Sequence, residues 1–261
     1  HGISDLAYTH HMNLLLCNAV GDTRRERYYL DLIRSERAAG LIVNPQDYHN
    51  DGRLLDELRR DGIAVIMIDT YVADYEFDFV GVDNRQGAQR AVQHLIDLGH
   101  RRIATIAGKI SVTTAQERLL GYQDALRAAG IPVDDALIVG GEYEQEAAYH
   151  ATRRLLDLPH PPTALFAANE PMTVGALDAL HERGIRIPQD IAIVGFDDVP
   201  WMSHTNPPLT TVAQPTYTVG REAVRLLMRR VNEPDSPCLT VTLPTKLVVR
   251  QSCGAGSPRT I

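Results

Sequence analysis

Short apolar runs alternate with amphipathic stretches along almost the whole chain, and that alternation points to parallel sheets covered by helices. A run that is short and apolar throughout satisfies its backbone as a buried strand, and the helix-spaced stretch after it is the crossover that a parallel neighbour needs. The stretches 13–17 (NLLLC), 40–43 (GLIV) and 64–68 (AVIMI) read as buried strands. Helices are predicted between them over 24–39 and 51–60, the second with Leu54, Leu55 and Leu58 at helical spacing. A strand over 79–82 runs into Asp83 and Asn84, good N-cap types for a helix over 85–98. Ala88, Ala91, Val92, Leu95 and Ile96 form its apolar stripe, and Gly99 is placed to end it. The cycle continues with strand 102–107, helix 115–129, strand 136–139, helix 146–156, strand 163–167, helix 172–183 and strand 191–196.

Beyond Phe196 the pattern changes. Pro200, Pro207 and Pro208 exclude a helix, and the β-branched segment 210–214 reads as a strand crossing between lobes. A helix over 219–231 follows, then 239–243 and 247–249 as a hairpin-like pair. From Gly254 the tail is rich in Gly, Ser and Pro and is expected to fray. At 261 residues, two lobes or one large α/β unit both fit the length.

Composition removes several function classes. With 26 basic and 33 acidic residues, a net charge of -7 and no run of Lys or Arg, these residues make a poor DNA-binding surface. Cys17, Cys238 and Cys253 are odd in number and lack CxxC spacing, which argues against a disulfide framework or structural zinc and fits a reducing cytosol. No stretch approaches the ~20 apolar residues of a membrane span, and no signal sequence follows His1. The start lacks Met and resembles the middle of a helix, so an N-terminal portion is expected to be missing. His10 and His11 fall on different helix faces, a pattern of solvation or packing rather than metal binding. Hydrolase-elbow, P-loop and dinucleotide glycine motifs are absent, so neither an enzyme nor a cofactor or metal is expected.

In an open parallel sheet, ligands bind beyond the carboxyl ends of the strands. Here those ends carry Asp69, Asp83, Asn169 and the Asp197-Asp198 pair. Each alone is an ordinary turn or N-cap residue. Their recurrence offers donors and acceptors suited to hydroxyls or ring nitrogens.

The strings VGVDNRQGAQRAVQHLIDLGHRRIATIAG (80–108), RLLGYQDALRAAGI (118–131), PPTALFAANEPMTVGALDAL (161–180), IPQDIAIVGFDD (187–198) and PPLTTVAQP (207–215) resemble the LacI/GalR family of bacterial transcription regulators. The resemblance spans essentially the whole chain and continues into LPTKLVVRQSC. It covers the effector-binding core alone, without the family's helix-turn-helix and hinge helix, and begins at the first core helix, after the first core strand. It implies a type I periplasmic-binding-protein architecture, two doubly wound parallel-sheet lobes joined by three crossings with a ligand cleft between them. The lobes so implied are 1–98 with 214–236, and 99–213 with 237–261.

Carried over by motif, Arg118 is similar to the arginine that forks onto ligand hydroxyls, Asn169 to the asparagine ending the ALFAAN strand, and Asp197 to the first aspartate of GFDD. Tyr143 falls where the family often packs an aromatic ring on the ligand. Asp69 and Gln214 sit where relatives contact ligand or hold the lobes together, a hinge hydrogen bond being the alternative for Gln214. The family's usual NDxMA reads Asn169-Glu170-Pro171-Met172-Thr173 here, which alters the turn. Thr113 and Thr114 lie in a variable loop that could reach ligand and are not assigned, and Trp201, near the cleft mouth, reads as lobe or dimer packing with ligand contact as the alternative.

The resemblance implies a cytoplasmic ligand-sensing and dimerisation domain. Its partners would be a small-molecule effector, a sugar by preference, and operator DNA through the absent N-terminal module, with no membrane. The homodimer surface would use the first helix and its neighbours. A periplasmic sugar-binding protein of a transporter is the alternative. Pentoses, hexoses, disaccharides and nucleosides all fit the candidate donors and acceptors.

Overall fold

The computed structural model describes residues 1–19, 22–45, 51–72 and 74–255. The chain divides into two compact units, His1–Val82 with Pro215–Leu243, and Asp83–Gln214 with Pro244–Ile261. In chain order the first unit holds α1 (Gly2–Thr9), α2 (Thr23–Ser35), β1 (Gly40–Val43), α3 (Asp51–Arg60), β2 (Ala64–Ile68) and β3 (Asp78–Val82). The second takes α4 (Asn84–Asp97), β4 (Ile103–Ala107), α5 (Thr113–Ala128), β5 (Ile138–Gly140), α6 (Gln145–Leu156), β6 (Ala164–Ala167), α7 (Glu170–Glu182), β7 (Ala192–Phe196) and β8 (Thr210–Ala213). The chain returns to the first unit for α8 (Thr216–Asn232) and β9 (Thr240–Leu243), then to the second for β10 (Lys246–Val248).

Each unit is built on its own sheet, in the orders β1-β2-β3-β9 and β10-β8-β7-β6-β4-β5. All described pairings are parallel except the antiparallel β10 and β8. The alternating α/β class is therefore present, and the βα repeats lie close to where the apolar runs place them.

Four differences have physical causes. The NLLLC stretch forms no strand; Leu14, Leu15 and Leu16 are 54%, 61% and 86% exposed. A strand needs a neighbour for its backbone, and β1 pairs only with β2 among the described residues. A groove of about 1080 Å³ is lined by 12–19, by β1 and by residues of α1, α2 and α8. Second, α2 stops at Ser35, short of residue 39, because Arg37 turns left-handed (φ 50°) and Ala38 N–H returns to the Ile33 carbonyl. Third, β9 and β10 are not a hairpin: β9 pairs in register with β3 of the first unit and β10 with β8 of the second. Fourth, the units divide at 82/83 and 243/244 rather than near 98 and 236, because α4 packs on α5 and against β8 and β10, while β9 pairs with β3 through Leu243. The close approach of α4 and α5 needs Gly121, where a Cβ would lie 2.1 Å from the Arg85 carbonyl oxygen. Residues 256–261, most of the Gly- and Ser-rich tail, lie outside the described residues.

Asp83 stands at the α4 N-cap, as its type suggests, yet its side chain caps nothing. The carboxylate instead accepts the backbone N–H (2.7 Å) and hydroxyl (2.7 Å) of Thr245 and pairs with Arg90 (3.2 Å). Gly99, in contrast, ends α4 as expected, at φ 85°.

In the first unit the fully buried Asp78 carboxylate pins three segments. It accepts from Arg230 Nε of α8 at 2.7 Å and from the Leu239 N–H leading into β9 at 2.8 Å, while β3 carries it. Removing one partner of a buried pair strands the other charge, at a cost of about 3–5 kcal/mol. Asp78→Ala is thus expected to lower unfolding free energy by about that much, read from urea denaturation by circular dichroism. A loss below about 1 kcal/mol would show the pair to be screened like a surface bridge.

Candidate functional site

In the second unit the predicted residues come after successive strands: Arg118 on α5 after β4, Tyr143 after β5, Asn169 after β6, Asp197 after β7 and Gln214 after β8. Arg118, in the second turn of α5, is buried at 4% exposure. Its guanidinium lies 3.9 Å from the centre of the Phe196 ring, donates from Nε to Asn84 Oδ1 (2.9 Å) and from a terminal nitrogen to the Ala168 carbonyl (2.7 Å). The ring face and the two acceptors fix the plane of the fork. Asn84 in turn donates to Glu117 at 3.0 Å.

Asp197 follows β7 with a left-handed backbone, φ 78°. Its carboxylate accepts Gln214 Nε2 at 2.5 Å on one oxygen and the Glu170 N–H at 3.2 Å on the other. A carboxylate has about four lone-pair positions, so capacity remains for ligand hydroxyls. Gln214 is therefore Asp197's support. Asp198 turns to other partners: Arg250 clamps it bidentately at 2.7 and 3.0 Å, and Thr211 donates at 2.7 Å. The adjacent carboxylates are thus not a working pair.

Asn169 caps α7 in the conventional sense, its Oδ1 accepting the Met172 N–H at 2.9 Å. The amide NH2 remains as the ligand-competent group. Tyr143 follows Glu142 in consecutive left-handed conformations, φ 52° and 65°. That turn lays the ring on Gly108, where a Cβ would come within 2.3 Å, and the hydroxyl is hydrogen-bonded to the Thr114 hydroxyl at 2.9 Å. Thr113 Oγ1 is buried without a hydrogen-bond partner at the start of α5.

Asp69 sits in the first unit, at the end of β2, also left-handed at φ 63° and within 3.5 Å of Asn44 Nδ2. The structure thus gathers Arg118, Asn169, Asp197, Tyr143 and Gln214 in the second unit. Sequence reasoning passed over Asn84, Phe196 and Glu170 as parts of it. Glu170 was visible as the departure from NDxMA, but not its role: its backbone N–H holds Asp197 and its carboxylate accepts Trp201 Nε1 at 2.9 Å. Trp201 is accordingly tied to the opening of α7 rather than serving only as packing.

Among the described residues no group of three or more His, Cys, Asp or Glu side chains is arranged to hold a metal, and no helix is long and apolar enough to cross a membrane. The arrangement sets out a fixed guanidinium fork, a partly engaged carboxylate, an amide and a ring face, the mix of donors, acceptors and apolar surface that a candidate binding wall needs.

Residues 92–253 match the family described as periplasmic binding protein-like domain. The HTH-type transcriptional repressor PurR of Photobacterium profundum is 32% identical over 97% of this chain and 75% of its own length. The chain belongs to the LacI family of transcriptional regulators. The ribose operon repressor of Escherichia coli is 34% identical over 89% of this chain and 70% of its own. The crystal structure of a LacI-family regulator from Enterococcus faecium with bound ribose superimposes with a TM-score of 0.85, at 28% identity, covering 96% of this chain and 91% of that one. LacI-family membership confirms the periplasmic-binding-protein-like fold, and both repressors compared are transcriptional regulators.

The Arg250 fork and the Thr211 hydroxyl hold the Asp198 carboxyl below its ordinary value of 3.8. A depressed folded value means the interaction stabilises fully above the unfolded value and is lost as pH falls through the folded one. The Tm gap between the wild type and Asp198→Asn is expected to be open at about pH 6 and to close as pH falls from about 4 towards 2. A gap of constant size across that range would contradict the assignment.

Proposed function

We propose that this core senses a small polyhydroxylated molecule, a sugar, on the strand-end wall of the second unit, and that binding modulates operator recognition by a LacI-type repressor in the cytoplasm. Arg118 donates to ligand oxygens, Asp197 accepts from hydroxyls, the Asn169 amide donates, the Tyr143 ring covers an apolar sugar face, and Gln214 holds Asp197 in place. Asp69 is a further candidate, on the first unit's own strand end.

The observation that carries this reading is backbone strain. Asp69, Tyr143 and Asp197 are all left-handed non-glycine residues at the ends or turns of strands. Such conformations cost about 1–3 kcal/mol each and concentrate where function needs a side chain aimed. Glu142, His11 and Arg37 share the conformation outside the candidate set. The ribose operon repressor and the ribose-bound structure support a sugar as the ligand class. Operator DNA is read by a separate module, in a homodimer. A ligand couples to that module only if it binds two conformational states unequally.

A thermal-shift screen of pentoses, hexoses and ribonucleosides, followed by calorimetry, tests the reading. Hydrogen bonds to charged groups contribute about 1.5–3 kcal/mol, so Arg118→Lys and Asp197→Asn are each expected to weaken a hit by about 10- to 100-fold. Unchanged affinity in both variants would remove the site assignment.

A further inference from the structure

The charge of the wall narrows the ligand class. Resting on the sugar-sensing reading, we infer that the effector is an uncharged polyol, an unphosphorylated sugar or nucleoside, and that the site rejects phosphate monoesters. Glu142 and Glu144 follow β5 and are exposed, Glu170 follows β6, Asp197 follows β7, and Glu117 stands one residue before Arg118 on α5. Arg118 is the buried cation among them, and its fork is already oriented by Asn84 and Ala168. A phosphate monoester carries close to two negative charges at neutral pH. It needs several converging cations or N–H groups, as clamped phosphates have.

Two features favour an anion: the start of α5, whose cap Val112 lends no side-chain bond, and the exposed Lys109. They are set against Asp197, which accepts from Gln214 and the Glu170 N–H and so stands as a hydrogen-bonded carboxylate. A hydroxyl donates to such a group; an ionised phosphate oxygen repels it. Tyr143 and Thr114 join their two neutral hydroxyls in one hydrogen bond, so the pair adds no charge to the wall. A vicinal diol meets the wall on both sides, donating to Asp197 and accepting from Arg118.

The experiment is calorimetry on the intact chain with free aldopentoses, aldohexoses and ribonucleosides, each beside its own phosphate monoester, and with inorganic phosphate alone. The expected result is that at least one free compound binds and its monoester binds at least about 100-fold more weakly. Glu170→Gln, which keeps an acceptor for Trp201 and removes one charge, is expected to narrow that ratio by about fivefold. A monoester that binds as tightly as its parent, or inorganic phosphate that competes with it, overturns the charge inference and leaves sugar sensing intact. Binding by no compound of either kind overturns the sugar-sensing reading, and this inference with it.

Discussion

A buried guanidinium organises the strand-end face of the second unit. Arg118 leaves water at a cost that only satisfied hydrogen bonds offset, and the chain supplies a ring and two acceptors from three separate elements. Asn84 comes from the start of α4, Ala168 from the end of β6 and Phe196 from the end of β7. The same contacts that make the burial tolerable set the direction of the remaining N–H groups. Asp197 follows Phe196 directly, so the residue under the cation and the carboxylate beside it are placed by one strand. On the proposed reading, the contacts that fold this position are also the ones that aim its binding groups.

Much of this was legible in the residues. The period of the apolar runs named the strands, because parallel strands buried on both faces have little freedom in composition. Asp and Asn at strand ends marked the candidate wall, because turn chemistry and ligand chemistry draw on the same side chains. What stayed hidden was partner choice across long sequence separations. Asp83 has the type of an N-cap but engages Thr245, 162 positions away, and Asp198 is taken by Arg250, 52 positions away. Those pairings depend on strand order, which local periodicity does not carry.

The misread ends of the first unit follow the same logic. NLLLC has the composition of a strand but no described neighbour to pair with, so its leucines are exposed. The runs at β9 and β10 are close in sequence and resemble a hairpin, yet each finds its partner in a different unit. Composition predicts what a segment could bury. Only topology decides what it meets.

On the proposed reading, a ligand is held by the Arg118 fork and the carboxylate of left-handed Asp197 together. A crystal structure of the chain with its tightest-binding sugar tests this most directly. Ligand hydroxyl oxygens are expected at about 2.6–3.2 Å from both the Asp197 carboxylate and the Arg118 guanidinium, with the Tyr143 ring against the sugar's apolar face. A ligand seated with no atom near either group would contradict it.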